Sequence, residues 1–473
     1  MLKKLYKAIK RDGVIGFINY AAGRIHLKRK VIHFIYGPIA IPIALIVLSI
    51  SRWLPIRLIL LFSNRIGHYP YNTELLLCVL DQSPEKNKIK TIYYTVPGMP
   101  ICNKQMHKMW ERVIQIIPFP YLMAEIDRYL MLWSKRYRTD PIKNFFTPKG
   151  HSWDAWNILG NTSKPHVGFT LYEEKLGKKL LKSMGIPENA KFVCLLGRDS
   201  RYLSLYMPKH DLSYTNYRNV DIENYVEAAR YLANNGYYVI RMGQHVEKRF
   251  NADHPYIIDY ANSQFCSDFA DIYLSANCYF FISVSCGLDA VAQLFRRPIL
   301  QTNVPFVDPD FHPEWYLFIT KKIIDLKTSR ILSQNEITNI FPWVNSNGAR
   351  EIIKILESNQ LKLIENTSEE ITEAVQEMVM ILEEKNKYSE SEQLLQKMFW
   401  DNFKDPGMRL LSAKAPKITI PELKIPVFEG DNLASNRKLS NVRLRIGKRF
   451  LKSNASWLIN TWVINVNFRE ELV

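Results

Sequence analysis

The chain has 473 residues, enough for two or three domains and a large core. Its 47% apolar and 23% charged residues are those of an ordinary globular protein. The net charge is +17, but residues 1–30 carry +8 and residues 437–452 carry +7, which speaks against the basic groove of a nucleic-acid enzyme. The six cysteines form no CxxC pair, and several lie in apolar runs, which suits a reducing compartment better than a disulfide framework or a zinc site.

The basic N-terminus has helical apolar spacing, with Leu2, Leu5, Tyr6 and Ile9 on one face and lysines around it. Such a helix can lie on an anionic membrane surface or pack its apolar side on the protein. Residues 31–50 follow as an uncharged run about as long as a bilayer is thick. Pro38 and Pro42 interrupt it, so the expectation is a monotopic or re-entrant hairpin broken at the prolines, with a spanning helix as the alternative.

Residues 57–80 read as strand, Gly turn and helix, with Asn64-Arg65-Ile66-Gly67-His68 at the turn. A His at a strand end is placed to take a proton from an acceptor hydroxyl, and Glu74 is a second candidate. The plainer alternative is a His that hydrogen-bonds its own loop. A second strand over IKTIYYT and two helices, near 103–117 and 120–137, follow; residues 138–170 read as a loop-rich connection.

From residue 171 strands and helices alternate, which predicts a parallel, doubly wound sheet. Ligands of such sheets sit at the carboxyl ends of the strands. Four clusters fall there. They are Gly197-Arg198-Asp199-Ser200; Arg241 with Gly243; Ser263 with Asp268 at the next helix start; and Ser283 through Asp289, including Ser285, Cys286 and Gly287. In the last, a helix is expected to start directly after the strand, and its free N–H groups favour phosphate. Arg198 and Arg241 are placed to neutralise a diphosphate. Each residue alone also has a structural reading, and Tyr217, Arg218 and Asn219 line a cleft or belong to a buried network.

No GxG, GxxxxGK[ST], HExxH or GxSxG occurs, so dinucleotide, P-loop, zincin and nucleophile-elbow chemistry have no motif here. Asp308-Pro309-Asp310 lies in a Pro-rich loop and reads as a turn rather than a metal-binding pair. No metal and no cofactor are expected. Residues 346–400 read as mainly helical, with Ser368 as a cap. Residues 414–433 read as extended, and the basic tail repeats the amphipathic pattern through Leu439, Val442, Ile446 and Phe450.

The segments RIGHYPYNTE, LGRDSRYL, YRNVDIENYVEAARYLANNGYYVIRMG and SDFADIYLSANCYFFISVSCGLDAVAQLFRRPIL resemble a family of bacterial glycosyltransferases found with surface-polysaccharide genes. The resemblance covers residues 60–420; the last segment is also loosely similar to the nucleotide-sugar site of heptosyltransferase-like enzymes. It implies a GT-B-like α/β fold, two Rossmann-like domains facing a cleft. The domains would be a membrane-associating segment 1–56, an acceptor-side domain 57–170, a donor domain 171–345, a helical extension 346–433 and a basic amphipathic tail 434–473. The substrate implied is a nucleotide sugar, the acceptor a lipid-linked glycan, and the place the cytoplasmic face of a bacterial inner membrane, held peripherally or monotopically. Two Glu spaced eight apart, common in retaining members, are missing: Asp289 is followed by Arg297. This leans toward inversion with His68 as base. A non-catalytic scaffold and another sugar-nucleotide enzyme, such as an epimerase, are the competing readings.

Overall fold

The computed structural model describes residues 25–83, 87–140, 142–143, 159, 164–206, 208, 211–284, 286–306, 316–341, 349–385, 387–401 and 445–455. Two compact units divide the chain: Met1–Ser152 with Ile418–Lys424, and Trp153–Lys417 with Ile425–Val473.

The first unit opens with helix α1, Ile25–Ile50, which runs unbroken through Pro38 and Pro42. The hairpin expected at the prolines does not form. Each proline deletes one amide from the ladder, but both lie on the exposed side, where solvent can serve the freed carbonyls. Strands β1 (Ile56–Leu61), β2 (Lys90–Thr95) and β3 (Ile116–Ile117) form a parallel sheet in that order. Helix α2 (Tyr69–Gln82) follows β1, and α3 (Lys104–Glu111) follows β2. Residues expected to prolong α3 instead turn and enter β3. Helices α4 (Pro120–Trp133) and α5 (Lys135–Arg138) complete the unit. Its core joins Ala40 and Ala44 of α1 to Leu58, Tyr94, Met123, Ile126, Tyr129 and Leu130.

The second unit begins with α6 (Leu171–Ser183), started by a capping box of Thr170 and Glu173. Then come β4 (Phe192–Leu195), α7 (Arg201–Tyr206), α8 (Val226–Asn234), β5 (Tyr238–Arg241), β6 (Ile257–Ile258), α9 (Asp268–Asn277), β7 (Phe281–Ser283), α10 (Asp289–Leu294), β8 (Ile299–Val304) and β9 (Tyr316–Thr320). Gly236, at φ +83°, ends the α8 segment, as its place after NN suggests. Strands β4, β5, β7 and β8 are buried along their whole length, hence their continuous apolar runs.

With β13 (Arg445–Ile446), these strands make a seven-stranded sheet in the order β13-β9-β8-β7-β4-β5-β6. Every neighbouring pair is parallel. The chain winds outward from β4 through β5 to β6, then returns to lay β7 on the other side of β4 and winds outward through β8 to β9. The winding therefore reverses between β4 and β7, where doubly wound sheets open a crevice for ligands.

A second, antiparallel sheet, β11-β10-β12, comprises β10 (Lys322–Asp325), β11 (Arg330–Ile331) and β12 (Leu361–Ile364). Strand β12 interrupts the expected helical stretch, because LKLI pairs along β10. Around it stand α11 (Gln334–Ile340), α12 (Ala349–Ser358), α13 (Ser368–Leu382) and α14 (Glu390–Asp401). Thr367 rather than Ser368 caps α13, since Glu370 lies three residues on and closes the capping box.

Of the amphipathic tail pattern, Leu439 and Val442 lie outside the described residues. Ile446 and Phe450 are buried in the second unit, the former in β13 and the latter in α15 (Lys448–Ser453). These apolar positions pack on the body because β13 extends the free edge of β9. Residues 1–24 lie outside the described residues.

Candidate active site

Strand β4 delivers Gly197 and Arg198 to the point where the winding reverses. A Cβ at residue 197 would stand 2.8 Å from Ile222 Cδ1, the tip of a side chain that would have to shift. Val220 N donates to the Arg198 carbonyl at 3.0 Å, which sets the loop beside the 3₁₀ turn Ser213–Arg218. Arg198 Nη1 donates to the Thr215 carbonyl at 3.1 Å and to Asn219 Oδ1, and Nη2 donates to Thr215 Oγ1 at 2.8 Å. All these acceptors are neutral.

Arg218 ends the same turn. Its Nε is buried without a hydrogen-bond partner, and its guanidinium carbon lies 5.8 Å from the centre of the Tyr217 ring. Lys321, directly after β9, donates from Nζ to the Asn219 carbonyl at 2.8 Å. Asn219 thus links two cations, one through its side chain and one through its backbone.

Among the described residues none of Arg198, Arg218 and Lys321 has a carboxylate within ion-pair distance. Burial, and then the charge of Arg218, hold Arg198 down to about 10. Burial also lowers Lys321; Glu365 opposes this and Arg198 adds to it. Glu365 itself accepts from Asp221 N at 2.9 Å and Asn224 Nδ2 at 3.3 Å. Three buried or half-buried cations that repel one another are costly to the fold, and an anion among them removes the cost.

On the β7 side, Ser283 Oγ donates to Asp289 Oδ2 at 2.7 Å, and Gln293 Nε2 stands 3.4 Å from Oδ1. Burial pushes Asp289 up to about 6. Burial also pushes the Cys286 thiol up to about 12, Asp289 adding to it while Arg198 and Arg218 pull the other way. Cys286 therefore shares the field of the two arginines. Gly287 is half-buried in the turn, and Ser285 lies outside the described residues.

The direct passage from strand to helix expected here is not observed. Helix α10 starts only at Asp289, after a turn, and Leu288 gives it no side-chain cap. A six-residue helix offers little dipole. Side-chain cations, rather than a helix end, supply the positive charge.

The other candidates of this unit have partners of their own. Arg241 is buried and pairs with Asp259 at 3.3 Å, so its charge is answered inside the fold. Asp259 also accepts from Phe250 N and Asn262 Nδ2. Gly243, at φ +135°, turns the chain after β5. Ser263 Oγ donates to the Tyr260 carbonyl at 2.8 Å, and Asp268 opens α9 beside its cap, Ser267. Asp199 accepts from Arg201 N and Glu247 N, and Ser200 Oγ donates to Glu247. Asp308 and Asp310 lie outside the described residues.

In the first unit His68 caps α2 by position only, its side chain making no cap bond. Its Nδ1 lies 3.4 Å from Asn72 Nδ2. Burial first and Arg65 second lower its pKa, which keeps the ring neutral near pH 7. Arg65 is exposed. Glu74 is fully buried in α2, where Cys78 Sγ contacts its Oε1 at 3.7 Å.

The structure thus gathers Arg198, Tyr217, Arg218, Asn219 and Cys286 in one place, although the sequence had divided them between donor and cleft. Sequence reasoning missed Lys321. Its only signal is the pair Lys321-Lys322 ending the apolar run YLFIT, a strand that was not anticipated.

No protein-family profile matches the chain, and no curated protein matches it either. Among solved structures, a family 9 glycosyl transferase from Veillonella parvula is similar over 64% of this chain and 96% of its own, at 13% identity and a TM-score of 0.37. E. coli ADP-heptose LPS heptosyltransferase II is similar over 64% and 98%, at 12% identity and a TM-score of 0.32. E. coli heptosyltransferase WaaC with ADP covers the same shares, at 14% identity and a TM-score of 0.29. At these identities and scores the likeness decides neither the fold family nor the chemistry.

Proposed function

We propose that the chain is a metal-independent glycosyltransferase that moves a sugar from a nucleotide-sugar donor to a lipid-linked or surface-glycan acceptor in bacterial surface-polysaccharide synthesis. The observation that carries this reading is the group Arg198, Arg218 and Lys321, left without ion pairs among the described residues where the winding of the parallel sheet reverses. Departure of a nucleoside diphosphate builds negative charge on the phosphate next to the sugar. Fixed cations at that point stabilise it, the task a metal ion performs in other transferases.

In this reading the second unit binds the donor and the first binds the acceptor, as two Rossmann-like domains of a GT-B enzyme. His68, kept neutral by burial, takes the proton of the acceptor hydroxyl as the new bond to the sugar forms. The acceptor stays at the cytoplasmic face of the inner membrane.

The test is a thermal-shift panel of the full-length protein against UDP-, GDP-, CMP- and ADP-sugars. One nucleotide class should raise the melting temperature, and Arg218→Gln should reduce that rise. A folded protein that answers none of the four would sink the reading in favour of a non-catalytic scaffold.

A further inference from the structure

Helix α1 has two faces of different fate. Ala40 and Ala44 are fully buried, against Leu58 and Tyr94 of the sheet and Ile126 and Leu130 of α4. The opposite face is exposed at Phe34, Ile35, Pro38, Ile39, Pro42, Leu45, Ile46 and Ser49, the spacing of one side of a helix. Phe34 is 83% exposed, and Ile39, Leu45 and Ile46 are each more than half exposed. This stripe is about 22 Å long at the ordinary helical rise and carries no charge. Its ends are basic: Lys28, Arg29 and Lys30 lie in the first turns, Arg52 is exposed beside the exposed Trp53, and residues 1–30 carry net +8.

We infer that this stripe seats the protein on an anionic lipid bilayer, with α1 lying in the plane of the interface and not crossing it. Charge complementarity selects the occupant: an apolar strip between basic ends matches acyl chains beneath anionic headgroups. The run Val31–Ile50 is long and apolar enough to cross a membrane, but three observations set it in the interface.

First, its middle is packed on a β-sheet, and crossing would carry an open sheet edge into hydrocarbon. Second, Pro38 and Pro42 deprive the carbonyls of Phe34 and Pro38 of their helical donors on the exposed side, where headgroup water can serve them. Third, an ionic cluster meets the start of the run. His33 Nδ1 lies 2.8 Å from Arg128 Nη2 and 3.4 Å from Glu125 Oε2, and Arg128 donates to that carboxylate at 2.8 Å. The inference is independent of the proposed catalysis.

The test uses the full-length chain with a tag at each end. It should sediment with phosphatidylcholine vesicles containing phosphatidylglycerol and much less with phosphatidylcholine alone. Ile39→Glu and Leu45→Glu should each weaken sedimentation by about tenfold or more, since each inserts a charge at the acyl boundary. Both side chains point to solvent, so circular dichroism should stay unchanged. In sealed inverted membrane vesicles, protease should remove both tags from the same side.

Tags protected on opposite sides would establish a spanning helix and overturn the inference. So would undiminished vesicle binding by both Glu variants, or a folded protein that sediments with no vesicle. A dimer in solution that both variants dissolve would assign the stripe to a second copy of the chain and overturn it equally.

Discussion

The charge of Arg218 bears on Arg198 and is second only to burial in lowering its pKa. The two differ in how the fold holds them. Arg198 has three neutral acceptors, whereas the buried Nε of Arg218 has none. Arg198 is built into the loop and Arg218 is kept for something else.

That asymmetry separates two variants. Arg218→Gln should leave the melting temperature unchanged or raise it, because a repulsion is removed, while nucleotide-sugar binding falls by about tenfold or more. Arg198→Ala should lose both, with about 1–3 kcal/mol of stability going with the stranded acceptors of Thr215 and Asn219. Calorimetry on the two proteins, with and without the donor, reads both effects. Equal losses of stability would contradict the division.

Lys321 supplies a prediction that the sequence alone did not suggest. Lys321→Met keeps the length and apolar body of the side chain but removes the charge. It should weaken the binding of a nucleoside diphosphate more than that of the matching monophosphate. Parallel titrations decide the point, and equal losses for both would remove Lys321 from the phosphate site.

Asp289 sets a pH dependence of stability. Burial raises its native pKa to about 6, above the ordinary 3.8. The native state therefore holds its proton longer than the unfolded chain. Below about pH 4 the group costs nothing; as pH rises to about 6 stability is lost, by roughly 3 kcal/mol. Asp289→Asn should flatten urea-unfolding free energies across that window. A slope unchanged by the substitution would assign the dependence elsewhere.

Glu377 gives the same sign at another place. Burial pushes it up to about 7, against the bonds it accepts from Lys448 N at 2.7 Å and Tyr388 OH at 2.9 Å. It joins α13 to the start of α15. Hydrogen exchange at residues 446–451 should quicken as pH rises from 5 toward 7, beyond the intrinsic rate, and Glu377→Gln should abolish the excess.

His68 can be tested apart from the donor site. Because burial and Arg65 lower its pKa, the acid limb of kcat/KM should fall below the ordinary value of 6.5. His68→Asn should depress kcat far more than the KM for donor. An acid limb that persists in the variant would assign the base to another group.

The alternation of apolar runs with amphipathic stretches from residue 171 onward was enough to predict a parallel sheet, because fully buried strands must be continuously apolar. Local chemistry likewise placed Gly236, after Asn234-Asn235, at its turn. Two decisions needed the folded chain. Whether α1 breaks at its prolines depended on which side of the helix they face. Which basic residues are left unmatched depended on partners distant in sequence: Asp259 answers Arg241, while among the described residues no carboxylate lies within ion-pair distance of Arg198, Arg218 or Lys321. A single chain read in order shows which residues carry charge. Only packing decides which charges meet, because the Coulomb term acts through space and not along the sequence.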